Sequence, residues 1–281
     1  MGLRRTAFFL GLVELLAACS PAALFDLTVP RAGYHVERNL AYGPDARQKL
    51  DLYVPDRLAA PAPVLLFFYG GSWKSGSKSL YRAFGQAFAS QGMIVAIADY
   101  RLYPLVRYPA FLQDGALAFV WLHRHAADHG GDPGRLFLAG HSAGAYIAVM
   151  LAADDTYLRE AGAGLGQVQG VIGLAGPYDF LPLKDQELIA IFGGDNRPQS
   201  QPINHIVGPS PPMLLATGTE DETVSPGNTS RLAAKLRSFG SVVEEKHYAG
   251  AGHIGLLLSL APGFRGRTAL YQDMLDFVRR H

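Results

Sequence analysis

The sequence predicts an α/β fold built around one mostly parallel sheet, and three observations support that class. From residue 34 onward, short β-rich runs alternate with longer segments that carry apolar residues at helical spacing, as in βαβ units. No internal repeat or low-complexity linker divides the chain. Its 281 residues, of which 49% are hydrophobic, suit a single domain with a large core.

Eight strands are predicted along the chain. The first two flank the turn sequence PDAR and form an antiparallel entry to the sheet. The others are mostly short apolar runs bounded by Gly or Pro. In chain order, the candidates are YHVERNLAYG, KLDLYVP, PVLLFFY, MIVAIADY, RLFLAG, VQGVIGLAG, PMLLATG and VVEEKHY.

Four segments between these strands are predicted as helices on the two faces of the sheet. They are LYRAFGQAFASQG, YPAFLQDGALAFVWLHRHAADHG, SAGAYIAVMLAADD and NTSRLAAKLRSFG. Residues 177–212 differ, because they combine LKDQELIAIFGG with the proline-rich NRPQSQPINHIVGPSPP. This segment is too long for a simple loop, and we expect it to form a small lid or pocket wall within a domain spanning residues 34–281.

Charge and cysteine content exclude several function classes. The formal net charge is +1 and no run of Lys or Arg could track phosphates, so nucleic acid is not expected as a partner. Cys19 is the only cysteine, which excludes an internal disulfide framework and a cysteine-based zinc cluster. His123, His125 and His129 lack a carboxylate or cysteine partner in register. We therefore expect neither a metal nor a cofactor.

The N-terminus resembles an export signal. Two arginines precede an apolar stretch of about a dozen residues and then small residues, and this stretch is too short for a comfortable transmembrane helix. The sequence LAAC, ending at Cys19, resembles the lipobox of bacterial lipoproteins, in which cleavage precedes a cysteine that receives a diacylglyceryl group.

These features predict that residues 1–18 are a signal peptide, that Cys19 is lipidated and that residues 19–33 form a tether. The protein would then be exported to the bacterial cell envelope, and it would contact the membrane only through its lipid anchor. The alternatives are an ordinary signal with an incidental cysteine, which gives a periplasmic or secreted protein, and a retained apolar N-terminal helix.

The pentapeptide GHSAG, residues 140–144, is the clearest indication of chemistry. It fits the pattern G-x-S-x-G, follows the strand RLFLA and opens the helical AYIAVMLAA, which is the context of a nucleophile elbow. The glycines leave room for a sharp turn with Ser142 at its exposed apex. The alternative is a glycine-rich turn with an incidental serine.

A serine hydroxyl becomes a good nucleophile only when a histidine oriented by a carboxylate removes its proton. In a nucleophile-elbow fold the expected chain order is serine, acid, histidine. TGTEDETV follows the strand PMLLA, and we choose Asp221 over Glu220 and Glu222 because it has the usual register of the acid in this turn. AGAGHIG supplies His253, whereas His247 lies inside a strand. The alternative is that the carboxylates form a solvated loop before the next helix.

The sequence YGGSW, residues 69–73, ends an apolar strand with paired glycines. Attack on a carbonyl produces an oxyanion, which requires preorganised N–H donors. One donor is expected from the residue after the nucleophile, Ala143, and others from the loop after an earlier strand. Gly70 and Gly71 are the expected donors in that loop, and the alternative is a tight structural turn.

Together these stretches resemble the α/β-hydrolase fold, in particular the esterase group related to hormone-sensitive lipase, feruloyl-esterase-like carboxylesterases and kynurenine formamidase. The blocks that match in order are YGGSWKSGSK, DYRLYP, YPAFLQD, GGDPGRLFLAGHSAGA, GPYDF and PPMLLATGTEDETV. The resemblance runs from about residue 34 to the C-terminus. The family usually has His-Gly-Gly where this chain has Tyr69-Gly70-Gly71, which leaves open how the glycine-containing loop is braced.

The resemblance implies a serine carboxylesterase with the triad Ser142, Asp221 and His253. It would hydrolyse small to medium carboxylic esters through an acyl-enzyme, with a small-molecule ester or acyl compound as substrate. An arylformamidase or amidase on the same triad is the alternative within enzymes. A hypothesis from another class is an inactive hydrolase-fold lipoprotein used for binding.

Overall fold

One sheet of eight strands forms the centre of the computed structural model, which describes residues 28–58 and 61–281. All eight predicted strands are present. Strands β1 to β8 span, in chain order, Tyr34–Ala41, Lys49–Pro55, Ala62–Phe68, Ile94–Ala98, Gly131–His141, Gly170–Leu174, Met213–Gly218 and Val243–Tyr248.

The spatial order of the strands is β1-β2-β4-β3-β5-β6-β7-β8. Strand β2 is antiparallel to both of its neighbours, β1 and β4, and the remaining pairs are parallel. The expected mostly parallel sheet with an antiparallel entry is therefore confirmed. Every residue of β4 is buried, as is typical of a parallel strand that is covered on both faces.

Eight α-helices occur in the described part of the chain. Helices α1 to α8 span Arg82–Ala89, Ala110–His125, Ala143–Ala153, Thr156–Ala161, Gln186–Phe192, Gly227–Ser238, His253–Leu258 and Leu270–Arg280. The four predicted helices correspond to α1, α2, α3 and α6. None of the helices in residues 28–58 and 61–281 has the length and apolar character needed to cross a bilayer.

The helices lie on both faces of the sheet. The chain passes from β3 to β4 in one direction and from β4 to β5 in the other, so right-handed crossovers place α1 and α2 on opposite faces. Helix α8 shares the face of α1, where the Tyr271 hydroxyl donates to the carbonyl of Ala87 at 3.0 Å. Helix α3 is buried along nearly its whole length and packs against the central strands.

The predicted catalytic and oxyanion-hole residues lie at one edge of the sheet, in loops or at the first residue of the helix that follows a loop. Parallel strands end at the same edge, so the loops that follow β3, β5, β7 and β8 are brought together there. These four strands end at Phe68, His141, Gly218 and Tyr248. The fold thus places four loops that are far apart in the sequence around one region.

The segment of residues 177–212 has structure of its own, as its length suggested. It contains α5 and two 3₁₀ turns, Pro198–Ser200 and Pro202–His205. The Tyr146 hydroxyl of α3 donates to the carbonyl of Ser200 at 2.7 Å and ties the segment to the core. A lid function for this segment stays a prediction.

The predictions for the N-terminus fall largely outside the described residues. The signal peptide, Cys19 and the first part of the tether precede residue 28. At the end of the tether, Val29 is buried, and its carbonyl accepts a hydrogen bond of 3.1 Å from Arg82. Val29 of the predicted tether therefore packs onto the domain.

Candidate active site

Ser142 lies at the tip of a sharp turn between β5 and α3. Its backbone has φ 56° and ψ −123°, a strained conformation for a residue with a side chain. The flanking glycines are required by close packing. A Cβ on Gly140 would lie 2.2 Å from the carbonyl oxygen of Gly144, and one on Gly144 would lie 2.0 Å from that of Phe68. The structure thus has the strand–turn–helix geometry that the pentapeptide predicts.

The structure brings Asp221 and His253 together. Asp221 Oδ2 lies 2.8 Å from His253 Nδ1. The other carboxylate oxygen accepts hydrogen bonds from the backbone N–H groups of Thr223 and Val224, at 3.0 and 2.8 Å. The Asp221 carboxylate is therefore fixed through both oxygens, and it is buried. In contrast, Glu220 and Glu222, the alternatives in the same turn, are exposed.

This contact determines which nitrogen of His253 can act as a base. The carboxylate of Asp221 accepts a hydrogen bond, so Nδ1 of neutral His253 carries the proton and Nε2 has the free lone pair. His253 is the first residue of α7 and follows the glycine-containing sequence AGAG. His247 forms a different contact, to Glu245 on the surface of β8.

A cavity of about 440 Å³ opens next to Ser142. Trp73 and Phe180 form an aromatic wall, with ring centroids 6.2 Å apart, and Trp73 also packs against Phe192 at 4.9 Å. Other lining residues come from the nucleophile turn, from the segment 177–212, from the loop after β7 and from α6: Ala143, Leu181, Leu183, Lys184, Leu188, Val224, Asn228 and Arg231. The mostly apolar lining suits the acyl or alcohol portion of an uncharged ester.

Asn228 and Arg231 of α6 shape the cavity rim. The Asn228 side-chain oxygen accepts from the backbone N–H groups of Tyr178 and Asp179, at 2.9 and 2.8 Å. The guanidinium of Arg231 pairs with the Asp179 carboxylate and donates to the Asp179 carbonyl at 2.8 Å. These contacts fix the loop after β6. Sequence reasoning missed both α6 residues, because no local pattern relates α6 to a loop about 50 residues earlier.

The loop of residues 69–76, here called the glycine loop, lies beside the nucleophile. A Cβ on Gly70 would lie 3.0 Å from Cβ of Ser142. Gly71 has φ +124°, and a Cβ there would lie 2.2 Å from the carbonyl oxygen of Ser75. Both glycines are therefore needed for space, and Gly71 also for its backbone conformation. Their role as donors stays a prediction.

Ser72 is a residue of the glycine loop that the sequence analysis missed. It lines the cavity together with Ser142 and Ala143, and its φ is 51°. No hydrogen bond within the described part of the chain uses its backbone N–H. The N–H of Ala143 is likewise the first of a helix and has no intrahelical acceptor. Both groups can serve as donors to a ligand.

Tyr69 braces the glycine loop from inside the protein. Its hydroxyl donates to Asp99 Oδ1 at 2.8 Å and accepts from Arg47 Nη2 at 2.7 Å. Arg47 also donates to the carbonyl of Gly76, at the end of the loop, at 3.1 Å. Burial, followed by the charge of Asp99, raises the pKa of the Tyr69 hydroxyl, which therefore stays protonated.

The histidines considered for metal binding have other partners. His123 contacts Gln167 at 3.1 Å, His125 contacts the carbonyl of Trp121 at 2.7 Å, and His129 contacts Glu37 at 2.8 Å. No group of three or more potential ligands is found among the residues that the structure describes.

A family model described as BD-FAE matches residues 50–236, more than half of the chain. The chain belongs to the BD-FAE family. The matched range includes the nucleophile turn, the glycine loop and Asp221. The resemblance to α/β-hydrolase esterases that the motifs indicated is thereby confirmed.

Two curated relatives of this BD-FAE protein are described as esterases. A probable isoprenylcysteine alpha-carbonyl methylesterase of Arabidopsis thaliana is 29% identical over 268 residues, which cover 87% of this chain and 56% of the plant protein. Esterase LipC of Mycobacterium tuberculosis is 29% identical over 241 residues, which cover 78% of this chain and 60% of LipC. The chain thus spans less than two thirds of the length of either relative.

Solved structures agree on the fold. An esterase of Thermogutta terrifontis superposes with a TM-score of 0.68 at 26% identity and covers 89% of this chain and 91% of its own. A carbohydrate esterase from gut microbiota superposes with a TM-score of 0.77 at 20% identity, covering 89% and 98% of the two chains. At that identity the second likeness concerns the fold alone. The BD-FAE protein has the α/β-hydrolase fold.

Proposed function

We propose that this BD-FAE protein is a serine carboxylesterase that hydrolyses small to medium carboxylic esters through an acyl-enzyme intermediate. The observation that carries the proposal is the geometry at the sheet edge. A strained serine lines a mostly apolar cavity, and a hydrogen-bonded pair of buried Asp221 and half-buried His253 lies on neighbouring loops of the same edge. Each of the three side chains has the chemistry that its proposed role requires.

In the proposed mechanism, Ser142 Oγ attacks the ester carbonyl carbon while His253 Nε2 takes the hydroxyl proton. Asp221 keeps the imidazole in the required tautomer and stabilises the imidazolium that forms. The C–O bond to the alcohol then breaks, and the alcohol leaves with the proton from His253. Water attacks the acyl-enzyme with His253 again as base, which releases the carboxylic acid and restores Ser142.

The oxyanion formed in each step needs backbone donors. Ala143 and the glycine loop, with Gly70 and Gly71 as the expected donors, are proposed to supply them. The free N–H of Ser72 and its place in the cavity lining support its addition to this set. Because the loop is fixed by its own backbone contacts, its donors would need little reorganisation during the reaction.

The relatives support esterase chemistry at this site. Structures of the Thermogutta terrifontis esterase include forms phosphoramylated by tabun and phosphonylated by sarin, which support a serine nucleophile there. The same esterase has butyrate-bound and propionate-bound forms, which supports short acyl groups as the first substrates to test. The relatives described above are esterases, so the arylformamidase alternative gains no support from them.

A kinetic test compares wild type with Ser142→Ala on nitrophenyl esters of graded acyl length. We expect the wild type to hydrolyse acetyl to hexanoyl esters and the variant to lose roughly 10⁴- to 10⁶-fold in turnover. N-formylkynurenine, assayed in parallel, tests the alternative. An Ala variant of undiminished activity would refute the serine mechanism, and a strong preference for the formamide would refute the esterase assignment.

We also propose that the protein is exported and anchored in the cell envelope through lipidated Cys19. The support is the sequence alone: two arginines, an apolar stretch and LAAC. A diacylglyceryl group supplies two acyl chains, which suffice for stable attachment where one chain does not.

A further inference from the structure

His141 precedes the nucleophile and contacts the proposed base. It is the last residue of β5 and is only 2% exposed. Its Nε2 lies 3.1 Å from the backbone carbonyl oxygen of His253. The two imidazole rings are also in contact, with centroids 4.7 Å apart. One side chain therefore touches both the backbone and the ring of His253.

The contact defines the tautomer of His141. A carbonyl oxygen only accepts, so Nε2 of His141 must carry a proton and donate it. Nδ1 is then unprotonated in the neutral ring, and it is buried without a partner in the described structure. Burial, with a smaller effect of His253, lowers the pKa of His141 to about 4. His141 is therefore neutral at the pH at which an esterase of this type would work.

Backbone hydrogen bonds hold the chain next to His253, among them the bond of 3.0 Å from Leu256 N–H to the carbonyl of Gly252. Glu220 N–H donates to the carbonyl of Ala251 at 3.0 Å, and Gly250 N–H donates to the Thr219 hydroxyl at 3.1 Å. These bonds fix the loop up to residue 251. At His253, the Asp221 carboxylate holds the ring through Nδ1, and His141 holds the carbonyl.

We propose that His141 is a positioning residue, which fixes the backbone and the ring face of His253 so that its Nε2 is directed at Ser142. The inference rests on the proposed function, because it assigns a task to His141 within that mechanism. Asp221 and His141 then hold the same residue at two points, one through the ring and one through the main chain. The hydrogen bond at Nδ1 fixes one edge of the His253 ring, and the packed imidazole of His141 restricts the remaining rotation of that ring.

The neutral state of His141 is part of this role. An imidazolium at this position would lie 4.7 Å from the ring of His253 and would oppose the positive charge that His253 acquires during catalysis.

Two substitutions of His141 distinguish the effect of its hydrogen bond from the effect of its side-chain volume. Glutamine can place an amide N–H near the position of Nε2, whereas leucine fills similar space without a donor. We expect His141→Leu to lower kcat about 10- to 100-fold with little change in KM and to shift the acid limb of the kcat/KM profile. His141→Gln should stay within about threefold of wild type in kcat, with the wild-type acid limb.

A leucine variant with wild-type kcat would overturn the inference, as would a folded glutamine variant as impaired as the leucine variant. A spectroscopic measurement on the wild-type protein tests the same inference without a substituted protein and without substrate. Histidine side-chain ¹⁵N spectra should show His141 protonated at Nε2, unprotonated at Nδ1 and neutral from pH 5 to 8. A proton on Nδ1, or titration near the ordinary histidine pKa, would refute the positioning role without bearing on esterase activity.

Discussion

Ser142 has a backbone conformation with positive φ, and its neighbours hold it there. Its N–H donates to the carbonyl of Leu174 on the adjacent strand at 2.8 Å, and its carbonyl accepts from Tyr146 at 3.0 Å. The glycines on both sides permit the close packing that this turn requires. The surrounding structure thus stabilises a strained residue at the point where the proposed reaction takes place.

The buried His141 should make the folded protein less stable in acid. The pKa of His141 is lowered from 6.5 to about 4, first by burial and then by His253. Between these values the unfolded chain binds a proton that the folded protein does not bind, so the free energy of unfolding decreases as the pH falls from about 6.5 to about 4. At 1.36 kcal/mol per pH unit, the loss is at most about 3.4 kcal/mol.

Urea denaturation at pH 7 and pH 4.5 measures this effect. Other groups also titrate over the interval, so His141→Gln serves as the reference, because glutamine does not titrate. The variant should lose about 2–3 kcal/mol less than wild type between the two pH values. Equal losses in the two proteins would show that His141 does not hold a lowered pKa.

A polar network on the interior side of the glycine loop fixes that loop in place. The Tyr69 hydroxyl joins Asp99 to Arg47, and Arg47 reaches the far end of the loop at Gly76. Asp99 also accepts from the backbone N–H of Lys78 at 2.8 Å. The network connects the loop to strands β3 and β4 and to the β1–β2 turn. We regard it as the substitute for the histidine that the resemblance to the esterase group leads us to expect at this position.

Removing the Tyr69 hydroxyl should therefore loosen the loop. Tyr69→Phe leaves Asp99 and Arg47 without one partner, which should lower the free energy of unfolding by about 1–3 kcal/mol. We expect kcat to fall about tenfold, or roughly 1.4 kcal/mol in the barrier, because the loop's donors lose their fixed position. Tyr271→Phe removes a hydroxyl bonded to a helix carbonyl far from the site and is the matched control.

Thermal unfolding and steady-state kinetics of both variants test whether the network braces the glycine loop. A loss of stability in both with a loss of turnover only in Tyr69→Phe supports the bracing role. Unchanged turnover in a Tyr69→Phe protein would mean that the network serves stability alone.

The elements that could be predicted are those whose burial is evident from their own pattern of apolar residues. Strands buried on both faces are short apolar runs, and the helix after the nucleophile is apolar on every side. Helix α8 was missed because its buried residues, such as Leu270 and Phe277, are interleaved with charges and no motif marks its start. Helix α7 was missed because it is only six residues long and follows a glycine-rich loop.

For the whole molecule, the pattern of elements predicted the sheet class but not the strand order. The nucleophile and the acid lie in recognisable sequence motifs. Their placement at one edge of the sheet could therefore be predicted, because parallel strands end at the same edge. The Tyr69–Asp99–Arg47 network and the contact of His141 with His253 join residues 22 to 112 positions apart. No local pattern encodes such contacts, because they depend on which strands become neighbours.

The proposed attachment of the protein to a membrane depends on Cys19. We expect wild type to fractionate with membranes and to carry a diacylglyceryl group on an N-terminal cysteine after loss of residues 1–18. Cys19→Ser should be released into the soluble fraction, because the hydroxyl does not receive the lipid. Fractionation and intact mass measure both effects. An unchanged mass in the variant, or a native N-terminus at Met1, would contradict the anchor.

Ser142 is the proposed nucleophile. Mass spectrometry after treatment with a fluorophosphonate identifies the reactive serine. A fluorophosphonate reacts only with a serine activated by a nearby base, so it reports the nucleophile and the base together. We predict one adduct per chain, on the peptide that contains Ser142, and much slower labelling in His253→Ala. An adduct on another serine, or an equal adduct in Ser142→Ala, would contradict it.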